Sequence, residues 1–125
     1  MFRISLALAA AASLAVLALA STAAGRPEAA TKLKGTVGPG YTISLTKAGK
    51  KVTKLKAGTY SFVVSDKASI HNFVVEKEKG GKFEKSITSV GFTGTKTATI
   101  KLTKGEWKYY CQPHESFMHG SFKVT

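Results

Sequence analysis

The chain has 125 residues, room for one domain, and carries 19 Lys and Arg against 7 Asp and Glu, a formal net charge of +12. Nearly all the cations are lysines, which are poor at reading base edges or clamping phosphates at two points; with the export signal described next, this argues against nucleic acid as a partner. A single cysteine, Cys111, excludes an internal disulfide framework.

Arg3 heads an uncharged run over residues 4–20, followed by small residues, and both Ala18-Leu19-Ala20 and Thr22-Ala23-Ala24 suit a signal peptidase. Residues 1–24 therefore read as a secretory signal peptide cut near 20 or 24, with a retained N-terminal anchor as the alternative. The twin-arginine pair is missing, which points to the general secretory route, and no cysteine near the cut could take a lipid. The product is expected in the periplasm or outside the cell, with no membrane span in the mature chain. Residues 25–30, with Arg26-Pro27, read as a flexible N-terminus and 31–125 as one domain.

From residue 31 onward, runs of Val, Ile, Thr, Tyr and Phe alternate with Gly- and Lys-containing turns. Strands are predicted over 32–37, 41–46 with Ile43 and Leu45 on one face, 52–55 as a short edge, and 59–65 with Tyr60, Phe62 and Val64 inward. Further strands are predicted over 69–76, 95–103 with Ile100 and Leu102 on opposite faces, 107–111 and 121–125, with a less regular run over 87–92. A charged hairpin tip is expected over 77–82. No segment in this part shows helical periodicity over two turns. Seven to eight short strands predict an all-β Greek-key sandwich.

A lone thiol in an oxidising compartment is buried and inert, pairs with another chain, or holds a metal. Between the last two predicted strands, Cys111-Gln112-Pro113-His114-Glu115-Ser116-Phe117-Met118-His119 packs a thiol, two imidazoles and a thioether into nine residues. Cys-x-x-His can reach a common ion, and Met118 can approach from another side. One further imidazole exists, His71, in Ile70-His71-Asn72-Phe73. Taken singly, each of these residues is more often a core or surface residue than a ligand. Together, a soft thiolate, borderline imidazoles and a soft thioether suit copper and disfavour the oxygen-ligand ions. Zinc remains a competitor, although structural zinc usually takes four strong ligands and often paired cysteines.

The sequence resembles the cupredoxins, the small blue type 1 copper proteins such as plastocyanin, pseudoazurin, amicyanin and halocyanin. The resemblance rests on His71-Asn72-Phe73, on the stretch from Gly105 through Trp107-Lys108-Tyr109-Tyr110-Cys111-Gln112-Pro113-His114, and on Met118-His119-Gly120, and it covers residues 31–125. It implies one copper ion cycling between Cu(I) and Cu(II), with His71, Cys111, His114 and Met118 as metal ligands. Asn72 and Pro113 would act around the ligands, Asn72 tying the two ligand loops together and Pro113 stiffening the second. Tyr110 matches a residue that in some relatives lies at the surface beside the cysteine, an ordinary strand aromatic being the other reading. His114 and Met118 enclose three residues, a loop length between those of the named relatives, and His119 stands beside Met118 as an alternative axial ligand. The acidic docking patch of plant relatives has no expected counterpart on so basic a chain.

The implied function is one-electron transfer by a monomer between larger redox proteins, probing them with a small apolar patch of Pro113, His114, Phe117 and residues 38–40. The net charge calls for partners with acidic docking surfaces. Copper buffering or delivery is the alternative, disfavoured by the lack of Met-rich or His-rich tracts. Three histidines are too few for the multicopper enzymes, so an enzyme is not expected.

Overall fold

The structure, a computed structural model, describes residues 29–125; the expectations for the signal peptide and for most of residues 25–30 lie outside the described residues. Ten strands form in chain order: β1 Thr31–Val37, β2 Ile43–Lys47, β3 Lys50–Lys51, β4 Lys54–Leu55, β5 Gly58–Asp66, β6 Phe73–Lys79, β7 Phe83–Thr88, β8 Gly94–Leu102, β9 Gly105–Tyr110 and β10 His119–Val124. Two of them, β3 and β4, are two-residue pieces. The only helical turn among the described residues is a 3-10 turn at Gln112–His114, led by Pro113, whose fixed φ and missing N–H suit a helix start.

The strands form two sheets, in the orders β3-β2-β1-β5-β8 and β4-β10-β9-β6-β7. Most neighbours are antiparallel, while β1 with β5 and β4 with β10 run parallel. Alternation explains which residues meet between the sheets. Leu33 and Val37 of β1, Tyr60, Phe62 and Val64 of β5, Phe73 and Val75 of β6, Trp107 and Tyr109 of β9, and Phe122 and Val124 of β10 are all buried in one cluster. Among the described residues this cluster runs from Leu33 to Val124 and draws on both sheets.

Three expectations change. The strand after the hairpin occupies Phe83–Thr88 rather than 87–92, because Gly80 and Gly81, both at positive φ, confine the turn and let pairing resume at Lys77 opposite Phe83. The expected edge at 52–55 shortens to β4: the chain pairs earlier, with β3 on β2, then Val52 and Thr53 cross to the other sheet, where β4 pairs with β10. Ile100 and Leu102 share one face and are both buried, since positions two apart in a strand return to the same side.

The register sorts the molecule into two ends. Val37, Ile43, Asp66, Phe73, Gly94, Tyr110 and His119 sit where strands meet the loops 38–42, 67–72, 89–93 and 111–118. The opposite end holds Thr31, Lys47, β3, β4, Gly58, Leu102 and Val124.

Candidate metal centre

Three of those loops converge on one point. His71 lies just before β6, not inside a strand as expected; its N–H donates to Ala68 O at 3.2 Å, a turn that swings the ring inward, and it is fully buried. Gly38, at φ +73°, packs against that ring: a Cβ there would come within 3.1 Å of His71 Cδ2. The loop around Gly38 is closed by its N–H bond to Thr42 O at 2.9 Å.

The second loop is built by the β9–β10 ladder. Its last paired residues are Tyr110 and His119, and one step further Cys111 N–H donates to Met118 O at 3.0 Å. Between them the chain turns tightly, His114 N–H bonding to Cys111 O at 3.1 Å and Met118 N–H to His114 O at 2.8 Å. Alternation puts Trp107, Tyr109 and Cys111 on the inner face with Met118, Phe122 and Val124, all of them buried. His119 falls on the outer face and is exposed.

The donor atoms then meet. His71 Nδ1 lies 3.2 Å from His114 Nδ1 and 3.6 Å from Cys111 Sγ, and His114 Nδ1 lies 3.5 Å from Cys111 Sγ. These are the only such His, Cys and carboxylate cluster among the described residues. The carbonyl of Gly40 accepts from His71 Nε2 at 2.9 Å, so the proton sits on Nε2 and the Nδ1 lone pair is left to face the other donors. Two imidazole nitrogens and a sulfur, closely spaced and largely shielded from water, are a soft and borderline donor set that fits one copper ion.

Surrounding groups hold the two loops in place. Asn72, buried, accepts the Gln112 N–H on its Oδ1 at 2.7 Å and turns its amide toward Ser86 Oγ at 3.4 Å. Ser86 in turn donates to Thr88 O at 2.7 Å, and Thr88 Oγ1 accepts from Phe73 N–H at 2.9 Å, so the loop is tied through β7 to β6. Pro113 sits exposed in the 3-10 turn.

Sequence reasoning missed Tyr41. Its ring lies 5.5 Å from that of His71, 5.1 Å from His114 and 5.8 Å from Phe117, edge-on to both imidazoles. An aromatic directly after Gly38-Pro39-Gly40 was the available signal. Tyr41 and Phe117 are each 59% exposed and frame the half-buried His114. Gly38, expected in this outer patch, is buried instead.

Tyr110 is 5% exposed rather than open at the surface. Its hydroxyl donates to Glu84 at 3.0 Å, and Lys108 Nζ stands 4.7 Å over its ring. Burial, then the Glu84 carboxylate, pushes the phenol up to about 12. Lys108 bonds Glu115 at 2.7 Å and lies 3.3 Å from Glu78 and 3.4 Å from Glu76. Glu115 foremost, with Glu78 and Glu76, holds its ammonium well above the usual lysine range against the opposing effect of burial. Glu76, Glu78, Glu84 and Glu115 thus gather around Lys108 and Tyr110 on one face of the second sheet, where the sequence suggested no acidic patch.

A family profile described as copper binding proteins, plastocyanin/azurin family, matches residues 46–125. No curated protein matches the chain. Among solved structures, reduced rusticyanin is similar at a TM-score of 0.56 and 19% identity, over 75% of this chain and 78% of its own. A second rusticyanin structure, titled a copper protein, gives 0.55 and 16% over 75% and 76%. A mutant amicyanin in the Cu(I) form gives 0.51 and 12% over 76% and 83%. At such identities these likenesses speak to the fold, a cupredoxin sandwich, while the profile spans most of the chain. The protein is a member of the plastocyanin/azurin family of copper-binding proteins.

Proposed function

We propose that this protein is an exported one-electron carrier whose blue-copper centre is held by His71, Cys111, His114 and Met118. The observation that carries the proposal is the meeting of His71 Nδ1, Cys111 Sγ and His114 Nδ1 within 3.6 Å of one another. Copper bound there supplies a reversible change between Cu(I) and Cu(II). The chain's part is to hold donors rigidly and to exclude water. Cys111 and His71 are fully buried, and His71 is fixed in ring orientation and tautomer by Gly40 O. Support for Met118 over His119 as axial ligand comes from the ladder, which turns Met118 inward and His119 outward. Asn72 and Pro113 keep the two loops in register and stiff.

His114 alone of the three donor-bearing side chains reaches the surface, within a collar of Tyr41, Pro113 and Phe117. A small apolar patch of this kind suits the brief contacts of redox proteins. The strongly positive net charge, kept when Arg3 leaves with the signal peptide, speeds encounter with partners of acidic surface. The protein works as a monomer in the periplasm or outside the cell, as a carrier and not an enzyme. No helix among the described residues is long and apolar enough to cross a membrane.

The visible spectrum of the Cu(II)-loaded protein tests the centre. An intense thiolate charge-transfer band is expected, lost in Cys111→Ser; a colourless protein, or one that retains zinc in preference, refutes it. A reversible one-electron wave at an electrode is expected of a carrier, whereas rapid hand-off of the metal to a chelating partner would mark a delivery protein.

A further inference from the structure

Charge is unevenly spread over the sandwich. No Asp or Glu occurs from residue 29 to 65, and the first one, Asp66, is buried. Glu76, Glu78, Glu84 and Glu106 lie on β6, β7 and β9, and Glu115 lies in the loop of the metal centre. Every ion pair among the described residues joins one of these to Lys79 or Lys108. At the end opposite the metal centre, Lys47, Lys50, Lys51, Lys54, Lys56 and Lys123 are all exposed, and none of them joins an ion pair among the described residues, although Lys123 lies across the ladder from Glu106. The register gathers them: Lys47 pairs with Lys50, and Lys54 with Lys123. A groove of about 620 Å³ opens there, lined by Lys47, Lys54, Lys56, Thr31 and Tyr60.

We propose that this lysine end rests on the anionic headgroups of a phospholipid bilayer, with the metal centre facing away from it. So many ammonium groups at one end repel each other, and an anionic plane relieves that repulsion. Lysine's compact charge on a flexible stem suits mobile headgroups that offer no fixed geometry. A protein partner would look for an apolar anchor at the middle of its interface. The exposed large apolar side chains, however, are Tyr41, Ile70, Val90 and Phe117 in the loops at the metal end and Phe83 on β7. The first strand begins at Thr31, which lines the lysine groove, and β1 sets the two ends about 20 Å apart.

Sedimentation of the 29–125 domain, which holds all ten strands and the buried cluster described above, with lipid vesicles tests this. Binding is expected to vesicles containing one-third phosphatidylglycerol and not to phosphatidylcholine alone. Each lysine close to an anionic surface is worth about five-fold in partition. The quadruple variant Lys47→Gln, Lys50→Gln, Lys51→Gln, Lys54→Gln is expected to lose at least about a hundred-fold. A control that removes charge away from that end, Lys67→Gln, Lys85→Gln, Lys96→Gln, is expected to lose less than about ten-fold. Unchanged melting temperatures establish that both variants fold. Equal losses in the two variants, absence of binding at low salt, or equally tight binding to soluble polyglutamate would overturn the proposal. The assay reads no copper signal, so its failure leaves the electron-carrier reading standing.

Discussion

Cys111 and Met118 face each other across the final rung of the β9–β10 ladder, where the Cys111 N–H donates to the Met118 carbonyl at 3.0 Å. The pairing that builds half the sandwich thereby delivers two sulfur-bearing side chains to its inner face. A one-residue slip would exchange Met118 for His119. His119→Ala is therefore expected to leave the visible and paramagnetic spectra of the copper-loaded protein unchanged, whereas Met118→Ala alters both. Because Met118 is 1% exposed, its truncation also costs about 2–5 kcal/mol in a denaturant melt. A spectrum that responds to His119→Ala and not to Met118→Ala would reverse the assignment.

Asn72 spans the two loops with a half-buried bond to the Gln112 N–H at 2.7 Å. Asn72→Ala removes that bond, and a loss of about 0.5–1.5 kcal/mol is expected in urea unfolding of the metal-free protein. Identical midpoints for variant and parent would mean that the loops are held by their own turns alone.

Tyr110 predicts an alkaline weakness. Its phenol is raised from an ordinary 10 to about 12 in the folded state, so between these values the folded protein keeps a proton that the unfolded chain gives up. The stabilisation is fully present below pH 10 and fades as pH rises toward 12. Glu84→Gln should bring the phenol part of the way back, since burial, the larger cause, remains. Absorbance titration of the tyrosinates, with Tyr110→Phe to identify the signal, reads this directly; a Glu84→Gln titration superimposable on the parent would show that the carboxylate has no influence.

Gly120 pairs with Tyr109 across the ladder, and a Cβ at Gly120 would collide with the Tyr109 ring and hydroxyl. Tyr109 is wedged in the core, stacked 5.7 Å from Phe73 and 6.4 Å from Phe122, and cannot retreat. Gly120→Ala is expected to lower stability by about 1–3 kcal/mol. Pairing it with Tyr109→Leu, which vacates the contested space, should recover part of the loss; strict additivity of the two changes would place the strain elsewhere.

The sandwich was legible because its strands alternate: Tyr60, Phe62 and Val64 face inward as their spacing demands. The donor set was legible for a different reason, the clustering of scarce, chemically distinctive residues in nine positions. What escaped was set by partners remote in sequence. Phe83 joins a strand because β6 offers it an opposite residue at Lys77. Tyr41 reaches both imidazoles only because β1 and β2 carry loop 38–42 to the same end as loop 111–118. Five glutamates scattered over forty residues meet on one face because β6, β7 and β9 are neighbours. A linear reading shows a uniformly basic chain where the folded one is polarised.

Cys111 has no exposed surface, and no second cysteine exists in the chain. In air the thiol is therefore safe for as long as the sandwich stays closed, and it becomes reactive the moment the sandwich opens. Heating the metal-free protein without reductant should trap it by oxidation between molecules, making melting irreversible. With one sulfur per chain, such cross-linking must stop at covalent pairs and can never build a network.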